Sequence, residues 1–178
     1  MANTYLQRFI GAAALDAAIY EEVEADEGAT IQACATVVIS SLAAGVGSRG
    51  FDGNTAGNIA LTSIVSLLAW AAWSLLTYGI GVRILPEPET RSNVGELLRT
   101  TGFAAAPGCL RILGILPGVT VPVFAVTAVW MLVAMVVAVR QALDYRSTVR
   151  AVAVCAIGWA LAVAMSVVLS LAFGPALS

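Results

Sequence analysis

No lysine and no histidine occur in the 178 residues, so all nine basic charges are arginine. Without histidine the commonest catalytic base and metal ligand is missing, and a formal net charge of -2 carries no nucleic-acid footprint. Charged residues of any kind are scarce. They make up 11% of the chain against 60% hydrophobic, which removes it from the soluble globular class and makes lipid its expected solvent. Cysteine is limited to Cys34, Cys109 and Cys155, an odd number without CxxC spacing. That excludes a disulfide framework or zinc site as the expected reading, and all three are expected as buried small hydrophobes. No HExxH, GxxxxGK[ST] or GxSxG motif is present, and the carboxylates fall in loops or near the amino terminus. Neither catalysis nor a cofactor nor a bound metal is expected.

What is present is a succession of apolar runs. Residues 3 to 25 alternate polar and apolar at helical spacing, with Leu6, Phe9, Ile10, Ala13, Ala17 and Tyr20 three or four apart. This predicts an amphipathic segment over 1–27, one bent or two consecutive helices lying along the membrane surface, with Asp16 capping the second. Tyr5 and Tyr20 are expected at the headgroups, and the acidic run EEVEADE as a solvated face. The same run stands where a signal peptide would need its cleavage region, so the segment is expected to stay on the mature protein.

Spans are expected at about 28–47, 58–85, 95–117, 121–140 and 148–173, each long enough for a hydrocarbon core of about 30 Å. The second is longer than required, so tilting or fraying near TYGIGVR is expected. PEPETRSNVGELLR returns to water, and Ser92 or Asn93 starts the next helix with Glu96 in its first turn. The third segment holds Pro107 and Gly108. It is expected to cross as a kinked helix; the alternative is a re-entrant hairpin whose freed carbonyls must be buried against other helices or water. The chain is therefore expected as one domain over 1–178, an all-α membrane protein built as a five-transmembrane-helix bundle with an N-terminal amphipathic interfacial helix. Arg8, Arg83, Arg91, Arg99, Arg140, Arg146 and Arg150 then share one side and only Arg49 lies in an opposite loop, which places the amino terminus in the cytoplasm and the carboxyl terminus across the membrane.

The stretch GELLRTTGFAAAPGCLRILGILPG, with YEEVEADEGATIQA upstream and VWMLVAMVVAVRQALDYRSTVRAVAVCAIGW downstream, resembles the Yip1 family, particularly its shorter bacterial members. What matches is the order of elements: an interfacial start, a Gly-aromatic-x-x-x-Pro break, a Pro-Gly turn, a tryptophan-bearing span, a polar loop and a last apolar span. The resemblance implies five spans, a cytoplasmic amino terminus and no known catalytic chemistry. Eukaryotic relatives bind Rab-type GTPases, often through a long soluble amino-terminal region. Only about 25 residues precede the first expected span here, so GTPase binding is not carried over. An alanine-rich, lysine-free composition suggests a bacterial cytoplasmic (inner) membrane as the location.

Seven residues of the third segment and its turn form the candidate interface or functional kink: Gly102, Phe103, Pro107, Gly108, Arg111, Gly114 and Gly118. Small residues at four-residue spacing let helices approach closely, either within the bundle or as a docking face for another subunit with Phe103 as its knob. Arg111 is the one charge at membrane depth. It either snorkels outward or faces a polar interior or a partner's carboxylate. Arg140 and Asp144, four apart, are expected as a solvent-facing pair worth under about 1 kcal/mol. Two functional classes follow: a non-catalytic scaffold or accessory subunit whose partners are the lipid bilayer and other membrane subunits or further copies of itself, or a small-solute or ion permease with a path at the broken span.

Overall fold

The computed structural model describes residues 3–48 and 57–173, and every regular element among them is helical. The glycine-rich loop with Arg49 and the terminal GPALS lie outside the described residues. In chain order the elements are α1 (Tyr5–Ala13), α2 (Ala17–Ala25), α3 (Ala29–Gly47), α4 (Gly57–Gly79) continued by a π-helical turn (Ile80–Ile84), α5 (Val94–Phe103), a 3₁₀ segment (Ala106–Ile115), α6 (Thr120–Ala142) and α7 (Thr148–Phe173). Three stretches, Ala29–Gly47, Ile64–Ile84 and Thr120–Ala142, are long and apolar enough to cross a membrane. Their outward faces carry Leu68 and Leu75 on α4 and Val126, Val129 and Leu132 on α6, all exposed. The protein is membrane-embedded.

Local signals set most helix starts. Asp16 accepts from the Ala18 N–H at 3.0 Å and so begins α2. Asn93 and Glu96 close a capping box on α5: Asn93 accepts from the Glu96 N–H, and Glu96 from the Asn93 N–H. Between α1 and α2, Leu15 turns the chain at φ 65°, a left-handed conformation that an L residue other than glycine adopts at a cost of roughly 1–2 kcal/mol.

The expectation for the third segment was one helix kinked at Pro107 and Gly108. The structure has two elements, and the winding changes at Ala104 and Ala105. Pro107 has no N–H to return to Phe103, four residues back, so the α ladder cannot continue. Ala105 bonds the Gly102 carbonyl and Gly108 the Ala105 carbonyl, both three residues back. Ten 3₁₀ residues at about 2.0 Å each lengthen the segment to about 20 Å, where an α-helix would give about 15 Å.

Register places this segment against α3. Gly102 lies on Ala33, Gly108 on Ser40, and the Arg111 carbonyl and Gly114 on Gly47. The contacts advance together, so the two run side by side in the same direction from Ala33 to Gly47, about 21 Å at about 1.5 Å per residue. A buried stripe on α3, Ala29, Ala33, Thr36, Ser40, Ala43 and Gly47, makes that approach possible. After the turn at Gly118, where φ is +79°, α6 returns antiparallel, with Phe124 beside Gly114 and Met131 beside Gly108. Helix α7 packs on α6 and α4, where Gly158 meets the Trp73 ring.

Candidate functional site

Chain direction sorts the connections to two ends. The polar end gathers the π turn, the loop before α5 and the α6–α7 connection: Arg146 pairs with Glu89, Arg150 lies 3.4 Å from Glu87, and the Tyr145 hydroxyl donates to the Gly81 and Leu85 carbonyls at 2.9 and 2.7 Å. Those last two bonds hold the π turn where the sequence suggested fraying. Gln141 donates to Glu21 across the same end. The turn at 116–120 lies at the other end, with the close of α3.

At the polar end the first two helices fold against the bundle more deeply than a surface segment would. Tyr20 and Phe103 are fully buried, Tyr20 donates to the Ala12 carbonyl, and the Tyr5 hydroxyl lies 3.2 Å from that of Thr36. The expected headgroup position of Tyr20 is thus corrected, because α2 turns its Tyr20–Val23 face onto α5 and α6. Leu6 and Ile10 remain exposed and keep an apolar outer edge on α1. The acidic run is only partly a solvated face. Arg8, 2% exposed, donates to Glu22 at 2.8 and 3.0 Å, pairs with Asp26 at 2.7 Å and donates to Gln32 at 3.1 Å. Arg99 crosses from α5 to the last carbonyls of α2, donating to Val23 and Glu24, which complements that helix's negative end.

Glu21, Glu24, Glu96 and Asp144 border a hollow of about 500 Å³ together with Arg140 and Gln141. Arg140 does not pair with Asp144 as the spacing suggested. The helix ends at Ala142 and Asp144 turns to φ 53°, which breaks the four-residue register, so Arg140 donates to the Tyr145 carbonyl. Burial, then the charges of Glu96, Asp144 and Glu21, push the Glu24 carboxyl up to about 7 against the pull of Arg99. The folded state therefore holds a proton on Glu24 that the unfolded chain has released, and stability falls as pH rises from the ordinary carboxylate range to about 7. Glu24→Gln is expected to flatten that slope and to raise the unfolding temperature on its alkaline side, measured by thermal unfolding in detergent across pH.

The broken segment is bonded on both flanks. Ser40 of α3 donates to the Ala105 carbonyl at 2.6 Å, and Thr120 of α6 donates to the Gly114 carbonyl at 2.6 Å. Gly102, Phe103, Pro107, Gly108 and Gly114 are buried, and their close neighbours are residues of this chain. Phe103 lies tilted against the Tyr5 ring, with centroids 6.3 Å apart. Gly118 alone of the seven stands open, with nothing within 4 Å of its would-be Cβ. Arg111 turns inward: its Nε donates to Thr127 at 3.2 Å and its guanidinium lies 5.3 Å from the centre of the Phe124 ring. Beside it a partly open cavity of about 380 Å³ separates α3, α4 and α6. The three cysteines are unpaired and half-buried, where fully buried small hydrophobes were expected. Among the described residues no group of acidic or thiol side chains is gathered in a way that could hold a metal ion.

Sequence reasoning missed Arg8 and Arg99 as organising residues. A signal existed for the first: Glu22 and Asp26 are four apart, hence on one helix face, and Arg8 is the one cation of α1. The family described as the Yip1 domain matches residues 17–170. No curated protein and no solved structure matches the chain.

Proposed function

Because the chain belongs to the Yip1 family, we propose that it is a non-catalytic integral membrane protein acting as a scaffold or accessory subunit of a larger membrane assembly. The observation that carries this reading is the fastening of the broken segment. A transport path would use the carbonyls freed by the break as ligands and would need the segment to move. Here Ser40 adds a second donor to the Ala105 carbonyl, Thr120 takes the Gly114 carbonyl at the close of the 3₁₀ segment, and close approach at Gly47 holds the segment to α3. Such a bundle is a static support, with its first two helices forming a polar cap. The permease reading retains one observation in its favour, the cavity beside Arg111.

We read five crossings in this bundle, a reading that the same register supports. Helix α5 and the 3₁₀ segment together cover about 35 Å by rise per residue, against a core of about 30 Å, and they travel beside a candidate span. The turn at 116–120 then lies opposite the arginine-rich connections, with those connections and the amino terminus in the cytoplasm of a bacterial cell, the membrane its inner one, and the carboxyl terminus outside. In a cysteine-free background, Val119→Cys is expected to react with an impermeant maleimide from outside intact cells, and Ser92→Cys only after the cells are opened. Labelling of both from one side would make the third segment re-entrant. For the scaffold itself, native mass spectrometry after gentle extraction is expected to show a complex of fixed stoichiometry with other membrane subunits or further copies; a lone monomer with Arg111-dependent flux in liposomes reverses the ranking.

A further inference from the structure

We infer that the cavity between α3, α4 and α6 binds an anionic amphiphile, an oxyanion on Arg111 with a single acyl chain along the apolar wall. The cavity holds about 380 Å³, toward the lower end of the about 300–1,000 Å³ typical of small-molecule sites, which suits one acyl chain, any second chain of the same molecule lying outside it. Its wall is mostly apolar, with Val37, Met131 and Met135 beside the two tryptophans of α4. The methionines adapt to a chain without fixed shape. The hydroxyls of three lining residues are already engaged: Ser40 donates to the Ala105 carbonyl, Ser41 to the Val37 carbonyl, and Thr101 to the Leu97 carbonyl, whereas the buried Trp73 N–H has no partner and can add a donor to the site. Arg111 is different. Thr127 takes its Nε proton, and no carboxylate among the described residues lies within ion-pair distance of its guanidinium.

Position gives the charge its meaning. Thr127 stands seven residues into α6, about 10 Å from the start of that helix at about 1.5 Å per residue. A cation at that depth is costly unless it is paired or reaches the interface, and here it is turned inward onto the Phe124 ring. From it the cavity runs toward Thr101 and Met135, away from the turn at 116–120. The head of the ligand therefore enters from the leaflet on the turn side, and its chain points toward the middle of the bilayer. This site is independent of the scaffold reading, since a static bundle and a transporter could each hold a structural lipid.

The test uses the full chain in neutral detergent with Trp159→Phe, which removes an exposed indole, and reads quenching of tryptophan fluorescence by brominated acyl chains at alkaline pH. The probes are a brominated fatty acid, its methyl ester, and phosphatidylglycerol and phosphatidylcholine bearing the same chain. A saturable component is expected for the acid at about tenfold lower concentration than for the ester, the size of one charge-assisted hydrogen bond. Arg111→Gln is expected to erase that difference and Arg111→Lys to keep most of it. Saturable quenching by phosphatidylglycerol but not phosphatidylcholine assigns the oxyanion to a lipid headgroup; quenching by the acid alone assigns it to a free carboxylate. Equal titrations of acid and ester with the Trp159→Phe protein, which need no change at Arg111, overturn the proposal.

Discussion

Gly47→Ala is expected to cost more than alanine at Gly102, Gly108 or Gly114, the other close approaches of the broken segment. A Cβ at Gly47 would stand 1.8 Å from the Arg111 carbonyl oxygen and 2.8 Å from its carbon, with Phe124 at 3.2 Å behind. Those first two atoms are backbone, so no rotamer change relieves them. Either α3 or the 3₁₀ segment must move, and the second is held at Ala105 and Gly114 by Ser40 and Thr120. Ordinary overpacking costs about 1–3 kcal/mol; here the expected loss is about 3 kcal/mol or more, read as a lowered unfolding temperature and a smaller monodisperse fraction after extraction. Gly79→Ala is the matched control, because nothing lies within 4 Å of its would-be Cβ. It is expected to be neutral or stabilising by up to about 1 kcal/mol through helix propensity. Equal behaviour of the two variants would mean that α3 and the broken segment do not touch as described.

The same contact marks the boundary of what the sequence made legible. Helix limits were readable because they rest on local signals: the Asp16 cap, the Asn93 and Glu96 box, the prolines after Ile84, and the length of each apolar run. The break at Pro107 was readable for the same reason, since a missing N–H acts on the residue four back whatever surrounds it. Its outcome was not. Whether the chain beyond Ala105 resumes α winding or tightens to 3₁₀ depends on the groove that α3 offers some sixty-five residues earlier, and in particular on Ser40 reaching the Ala105 carbonyl. The candidate site divides likewise. Small residues at Gly102, Gly108 and Gly114 announced close packing, but what they pack against is a long-range fact. Tyr20 shows the limit on the polar side: an aromatic near an acidic run looks interfacial, yet its hydroxyl finds the Ala12 carbonyl and its ring is sealed.

Arg8→Met is expected to release the first two helices from the bundle. The guanidinium joins three elements, α1 through its own backbone, α2 and the residue that ends it through Glu22 and Asp26, and α3 through Gln32. Methionine fills the space of the stem but leaves Glu22 facing an apolar neighbour. Removing one partner of a buried ion pair costs about 3–5 kcal/mol, because the charge left behind has lost its compensation; with Glu22 still partly exposed, about 3 kcal/mol is expected. Most of that should appear locally, as faster proteolysis within α1 and α2 while α3 to α7 stay folded. The double variant Arg8→Met, Glu22→Leu removes both charges and is expected to recover much of the loss. Acid provides an independent check. Burial alone would raise Glu22, but Arg8 and Asn3 outweigh it and hold the carboxyl below its ordinary range; Arg8 and the Gly28 N–H do the same for Asp26. Depressed carboxyls stabilise the fold above the ordinary carboxylate range and lose that contribution as pH falls through their folded values. The wild-type hairpin is therefore expected to become protease-sensitive on acidification. Arg8→Met, which has no pair left to titrate, is expected to be sensitive already at neutral pH and to change little further.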